Sequence, residues 1–466
     1  MNTLKLSAQP LSNRPFLGLG AQADAYIFNE TNRICGVNEE ALALIARRIH
    51  SLRPGIIRMF VELAWFGYPD QESAEPSAEY RAFLRQLKLL QEAGSLVNLV
   101  LFSPGPRASA DLAPAVRFMV EKLHHLRLCE GCDHIRWLTL WNEPDHAFGH
   151  GSALGKRLFT GDSPSTWGEY VRLNRFALGL LEEKGLADAV TLVVADTVWG
   201  APMRRERMEL ALEAFGELPV AYSFHNYSNE REIRNAANPD FYYHGIEEEV
   251  RGFRQLLGPD RELVLWEFNT AGVQGFGSHF AGVGPRGEER IGSVEGAADL
   301  AEKVLGSLAA GVDGTCVWCL HDMKYGANMA SCLMEFGLWR YQWRNWYPRP
   351  LYHYYGALMD AFRPGVKVHA VENAPEGIKA AGALTDTHEG VALLNTTASP
   401  KEVAHAFAPE ARLTRIAPDR LPAVSDLPLH STAAPERLGD GARAPLVLEP
   451  LELLLVSTEK AGANRP

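Results

Sequence analysis

The feature that most constrains the fold is a repeated alternation. Eight short apolar runs of strand length occur near 16–22, 55–61, 96–102, 136–141, 190–196, 220–225, 262–267 and 314–320. Between them lie stretches whose apolar residues recur at helical spacing. In the first, Ala41, Leu42, Leu44, Ile45 and Ile49 form one face, with Asn38 placed to cap it. In the second, near 77–93, Phe83, Leu84, Leu87 and Leu90 do the same before Gly94. Further helices are expected near 112–127, 166–184, 205–215, 246–257 and 294–310. Eight strand–helix units with apolar strands predict a closed parallel (β/α)8 barrel. The rival, an open doubly wound sheet, would carry a glycine-rich nucleotide turn after its first strand. Gly18-Leu19-Gly20 lacks the third glycine of that fingerprint, and it reads as a strand-end turn.

From about residue 364 the helical spacing stops. Short strand-like runs follow at 366–371, 377–381, 390–395, 412–416 and 451–456, separated by Gly, Pro, Asn and Asp. They predict a small antiparallel β-sandwich. Leu4 and Leu6 alternate with polar residues before Pro10 and Pro15, so the N-terminal segment is expected to add a strand to that sandwich. The division expected is a barrel over 15–360 and a sandwich over 361–466 plus 1–14. A chain of 466 residues with 46% hydrophobic content can fill both cores.

The formal net charge of -11, with both signs interspersed, disfavours nucleic-acid and anionic-membrane partners. The first ten residues lack the apolar core of a secretory signal, and no apolar run reaches membrane-spanning length. A cytoplasmic location is expected. Cys35, Cys129, Cys132, Cys316, Cys319 and Cys332 are few for this length and imply no disulfide framework. Two pairs have CxxC spacing, but Cys316 and Cys319 lie on a strand, where positions three apart face opposite sides. They read as structural cysteines, and no metal or cofactor is implied.

The chemistry concentrates at two strand ends. The run 136–141 terminates in Asn142-Glu143-Pro144-Asp145, and the run from Glu262 to Trp266 terminates in Glu267. Active sites of such barrels lie on the face formed by the C-terminal strand ends. Two carboxyls brought there about 5–5.5 Å apart suit glycoside hydrolysis with retention of configuration, one as acid/base and one as nucleophile.

With Trp141-Asn142-Glu143-Pro144 after the fourth strand and Trp266-Glu267 after the seventh, the chain resembles glycoside hydrolase clan A. Phe336-Gly337-Leu338-Trp339 and Arg349-Pro350-Leu351-Tyr352 are similar to members carrying an appended sandwich, as in families 39, 30 and 51. The resemblance implies Glu143 as acid/base and Glu267 as nucleophile. It further implies Arg58 as a donor near the nucleophile, Asn142 as a contact to the sugar 2-hydroxyl, and His225 and Tyr227 beside the nucleophile. Trp318 would be the aromatic platform at the end of the eighth strand. Other aromatics in strand-end loops are Trp65, Trp199, Tyr325, Trp339, Trp343 and Trp346. The expected partner is an oligosaccharide or glycoside with a β-linkage. Transglycosylation on the same site and a non-catalytic carbohydrate-binding barrel are the rivals. His146 and His150 lie four apart in a glycine-rich loop and read as loop or substrate-contact residues. No HExxH, Gly-x-Ser-x-Gly or phosphate-loop pattern is present.

Overall fold

The computed structural model describes residues 2–69, 76–103, 111–146, 164, 166–198, 200–235, 245–269, 291–324, 333–422, 425–432, 434–439 and 444–459. Eight parallel strands close into a barrel. They are β1 (Gly18–Gln22), β2 (Ile56–Glu62), β3 (Leu96–Ser103), β4 (Ile135–Thr139), β5 (Thr191–Thr197), β6 (Val220–Asn226), β7 (Leu263–Phe268) and β8 (Gly314–Val317). Closure comes from parallel pairing of β1 with β8, from Gly18 opposite Gly314 to Ala21 opposite Val317. Backbones approach closely on the other side of β1, where Gly20 lies opposite Ile56 of β2. A Cβ on Gly20 would fall 1.6 Å from the Ile56 carbonyl oxygen, so only glycine fits.

Inward-facing residues plug the lower half of the barrel. Ile56, Trp137, Val193, Ala221, Val264, Trp266 and Cys316 form one buried cluster. The rings of Trp137 and Trp266 meet edge to face at 5.2 Å, and the Trp137 indole N–H donates to Glu262 at 2.6 Å. With that end filled by apolar and aromatic side chains, polar groups gather above it, at the C-terminal ends of the strands.

Four of the outer helices begin at side-chain caps: the Asn38, Ser77, Thr166 and Ser293 side chains each accept a hydrogen bond from a first-turn backbone N–H. One boundary differs from the sequence reading. The helix before β6 is Ala201–Phe215, with proline in its first turn, rather than starting near 205. Its inner face carries buried Arg204 and Arg207, which hides its amphipathic signal.

The C-terminal region forms a six-stranded antiparallel sheet. Its order is Lys367–His369, Ile378–Leu384, His388–Asn395, Leu453–Glu459, Arg412–Ile416 and Glu436–Arg437. A two-stranded ribbon, Lys401–Val403 with Leu446–Leu448, covers one face, enclosing Ile378, Val391, Leu393, Leu413 and Val456. Lys5–Leu6 pairs antiparallel with Val371–Glu372, and Leu4 enters the same core. The other face, with Ala381, Ala383, Ala392 and Leu394, joins the main core of the barrel's outer layer. The helix Val294–Ala309 lies between barrel and sheet and is buried almost all round.

The chain leaving β8 is fixed by an ion pair. Arg349 donates through both terminal nitrogens to Asp322 at 2.8 Å and to the Gly337 carbonyl at 2.8 Å. Both partners are fully buried, so removing one leaves an uncompensated charge. Arg349→Met is expected to lower the unfolding free energy by about 3–5 kcal/mol, measured by urea titration. A loss under about 1 kcal/mol, the level of an exposed pair, would show that this pair does not hold the segment in place.

Candidate active site

Alternation along β2 points Ile56 and Arg58 into the barrel, one in the apolar plug and the other above it. Arg58 is completely buried. Its guanidinium donates to Gln22 Oε1 at 2.6 Å, Glu267 Oε2 at 2.7 Å, Asn142 Oδ1 at 2.5 Å and Asp196 Oδ2 at 3.1 Å. One side chain from β2 thereby ties together the ends of β1, β4, β5 and β7.

His225, on β6, is the second cationic bridge. Its Nδ1 lies 2.9 Å from Glu143 Oε1 and 3.9 Å from Glu267 Oε2, and its Nε2 lies 3.0 Å from Asp196 Oδ1. Asp196 also accepts from Ser223 Oγ at 2.5 Å. The Tyr227 hydroxyl donates to Glu267 Oε1. The Tyr227 ring meets Trp318 edge to face at 6.1 Å, and Trp318 stacks on Phe336 at 5.0 Å. Two residues after Glu143, Asp145 accepts from Thr197 Oγ1 at 2.5 Å and Val198 N at 3.1 Å, joining the β4 loop to the end of β5.

Simple alternation would not place all three carboxylates here. With Val264 and Trp266 inside the barrel, Glu267 would face out, but the β7–β8 register shifts between Leu265 and Phe268. With Val193 inside, Asp196 would face out. The β5–β6 register shifts between Ala195 and Thr197, and both Ala195 (φ 71°) and Asp196 (φ 47°) are left-handed. Such bulges re-aim side chains next to active sites. Glu143 is left-handed as well, at φ 47°.

Charge and burial set the protonation states. Burial disfavours the imidazolium of His225, but Asp196 and Glu267, with hydrogen bonds to Asp196 and Glu143, push it up to about 10. Burial favours neutral Asp196, yet His225 and Arg58 pull its carboxyl down to about 2. Burial lifts Glu267 above the usual carboxylate value; His225 and Arg58 pull it back, and Glu143 lifts it. Burial, reinforced by the charges of Glu267 and Glu143, keeps Tyr227 protonated well beyond its ordinary range.

Arg58, Asn142, Glu143, His225, Tyr227 and Glu267 are brought into one hydrogen-bonded constellation, and Trp318 packs beside it. Of the other aromatics, Trp65 packs in the core against Tyr26 and Phe83. Trp339 and Trp346 are buried and Trp343 is exposed. Trp199, Tyr325, His150, Cys332 and the side chain of His146 lie outside the described residues. Sequence reasoning missed Asp196, Gln22, Ser223 and Asp145. Asp196 carried the signal that singled out the two glutamates, a carboxylate at the end of an apolar strand.

Glu143, His225 and Glu267 each offer a ligand atom, all within 4.8 Å of one another. That is within the span of a divalent cation's ligands. Arg58, however, already donates to Glu267 at 2.7 Å, and its fixed positive charge opposes a second cation at that carboxylate.

No family model matches the chain, and no curated protein matches its sequence. Its fold resembles SrfJ from Salmonella typhimurium at TM-score 0.63 and 14% identity, over 96% of this chain and 91% of that one. It resembles a family 30 endoxylanase from Clostridium papyrosolvens at 0.60 and 11%, over 98% and 100%. It also resembles the catalytic domain of family 30 xylanase C from Talaromyces cellulolyticus at 0.62 and 10%, over 99% and 100%. The fold that the chain shares with these structures is a (β/α)8 barrel with an accessory β-sheet domain.

The two shifted groups set opposite pH limits on stability. His225 is raised from 6.5 to about 10, so its contribution is complete below about 6.5 and is lost as pH rises through about 10. Asp196 is lowered from 3.8 to about 2, so its contribution is present above about 3.8 and is lost as pH falls through about 2. The melting midpoint should decline between pH 6.5 and 10. In His225→Asn that alkaline decline should flatten, on a lower baseline. An identical slope in the variant would assign the alkaline loss to other groups.

Proposed function

We propose that the protein is a retaining glycoside hydrolase acting on a β-linked glycosidic bond. The observation that carries this reading is the pair of strand-end carboxyls, Glu143 after β4 and Glu267 on β7. Ligand oxygens of the two lie within 4.8 Å of each other. Retention needs carboxyl groups about 5–5.5 Å apart, whereas inversion needs roughly 6.5–9.5 Å to admit a water.

The surroundings divide the roles. In direct hydrogen-bond contact with Arg58 and His225 are three carboxylates, Asp196, Glu143 and Glu267. Glu143 and Glu267 lie close enough to repel each other if both are ionised, and one proton on the pair relieves this. Each oxygen of Glu267 receives a donor, Arg58 on Oε2 and Tyr227 on Oε1, and a guanidinium cannot accept. The proton therefore belongs on Glu143, carried on Oε2 while His225 donates to Oε1. Glu267 is the ionised nucleophile and attacks the anomeric carbon as Glu143 protonates the leaving oxygen. Glu143, now a base, takes a proton from water, which releases the sugar from Glu267. Asn142, oriented by Arg58, is placed to hydrogen-bond the sugar 2-hydroxyl. Trp318 offers a ring face to the sugar.

A panel of aryl glycosides with products followed by NMR tests the reading directly. Retained configuration is expected. Transfer to an added sugar would indicate transglycosylation, and no release of aryl alcohol would indicate a binding barrel.

The two glutamates should also fail differently. Glu267→Ala should abolish turnover, and azide or formate should restore it with inverted product. Glu143→Ala should slow substrates with poor leaving groups by about 10²–10⁴-fold, spare the first step on activated aryl glycosides, and give a retained glycosyl azide when azide is added. Reversed rescue stereochemistry would mean reversed roles.

A further inference from the structure

Outside the residues assigned above, one buried cation touches the backbone on which they stand. Lys303, on the helix Val294–Ala309, is completely buried. Its ammonium donates to the carbonyl oxygens of Asn269 at 2.9 Å, Asn226 at 3.4 Å and Ser228. Asn226 and Ser228 flank Tyr227. Asn269 follows β7 two residues after Glu267. The ammonium therefore bridges the two chain segments whose side chains meet in the Tyr227–Glu267 hydrogen bond.

The bridge extends further. Asn269 donates its side-chain amide to the carbonyls of Trp318 and Phe336, the latter at 3.1 Å. Asn226 accepts from the Ser228 backbone N–H at 3.0 Å and Oγ at 2.5 Å, and donates to Glu249 at 2.8 Å. Glu249 is gripped by Arg204 at 2.5 and 2.9 Å. Burial lowers the Lys303 ammonium to about 8, while Glu230, Asp299 and Glu249 support its charge and Arg204 opposes it. An ammonium has three donors and no acceptor, and here all three are directed at main-chain carbonyls.

We propose that Lys303 is a positioning residue: by holding the carbonyls of Asn226, Ser228 and Asn269 together, it fixes Tyr227 against Glu267 and sets the nucleophile's attack geometry. The catalytic part of this inference rests on the hydrolytic reading above. The physical warrant is leverage. A displacement near 1 Å at the reacting atoms is worth about 10²-fold in rate, and without the ammonium three buried carbonyls lose their donor.

The test combines kinetics on aryl glycosides with amide hydrogen exchange, using full-length wild type, Lys303→Met and Lys303→Arg. In Lys303→Met, kcat should fall about 10- to 100-fold with KM changed less than about threefold. Amide exchange should accelerate at 226–229 and 267–269 and stay unchanged elsewhere in the barrel. Lys303→Arg, which keeps charge and donors, should recover most of both. Should Lys303→Met fail to fold, Lys303→Gln, with one amide donor, carries the same measurements. A folded Met or Gln variant with wild-type kcat and wild-type exchange at those segments overturns the proposal, as does a uniform rise in exchange across the barrel. If the wild type itself releases no aryl alcohol, the hydrolytic reading fails. The exchange result then still decides whether Lys303 fixes these segments.

Discussion

The site depends on a guanidinium that has no water to fall back on. Taking Arg58 out of solvent is costly unless every donor direction meets an acceptor. The barrel meets most of that demand by sending Gln22, Asn142, Asp196 and Glu267 to its two terminal nitrogens from four different strand ends, while Nε is left without an acceptor among the described residues. The same contacts work in reverse. Asp196 and Glu267 are buried carboxylates that would repel each other, and Arg58 with His225 makes their proximity tolerable. The apolar plug beneath, built on Trp137 and Trp266, keeps this charge layer at one end of the barrel, where the strand-end loops can bring a ligand to it.

Three of the eight left-handed non-glycine residues among the described residues lie where those charges are. Ala195, Asp196 and Glu143 are non-glycine residues in left-handed conformations, each costing of order 1–3 kcal/mol. Two of the three are carboxylates of the network, and the third adjoins Asp196. The strain persists because the interactions that hold it, charge-assisted hydrogen bonds in a dry site, are individually of similar size or larger. Relaxing Asp196 to ordinary strand geometry would turn it away from Arg58 and His225 and leave both under-paired.

This explains which parts of the molecule were legible in the sequence. Strand–helix alternation needs only local periodicity, so the eight barrel strands could be read directly, as could the caps at Asn38 and the change to short strands after residue 364. The two glutamates were legible because each ends an apolar run. Asp196 ended such a run too, but nothing in Val190–Asp196 announces a bulge, and strict alternation sends it to the helix layer. Gln22 and Ser223 had no signal at all, since their roles exist only relative to Arg58 and Asp196. The helix Ala201–Phe215 was read short for a related reason. Its buried face carries arginine, and a buried arginine looks like a solvent position until Glu249 is found opposite it.

The accessory sheet gains a physical rationale from the same reasoning. In a bare (β/α)8 barrel the outer faces of the helices meet water, and a lysine on a helix keeps its ammonium hydrated. Here the sheet packs its alanine-rich face, Ala381, Ala383 and Ala392, against that outer layer. Small side chains allow close approach, and Val294–Ala309 becomes buried on both sides. A helix enclosed in that way cannot roll to expose a polar residue. Lys303 is therefore held beneath the β6 and β7 ends, where its ammonium donates to the carbonyls that flank Tyr227 and follow Glu267. Sheet, helix and strand ends form one mechanical chain, in which packing far from the carboxyls fixes the position of the backbone that presents them.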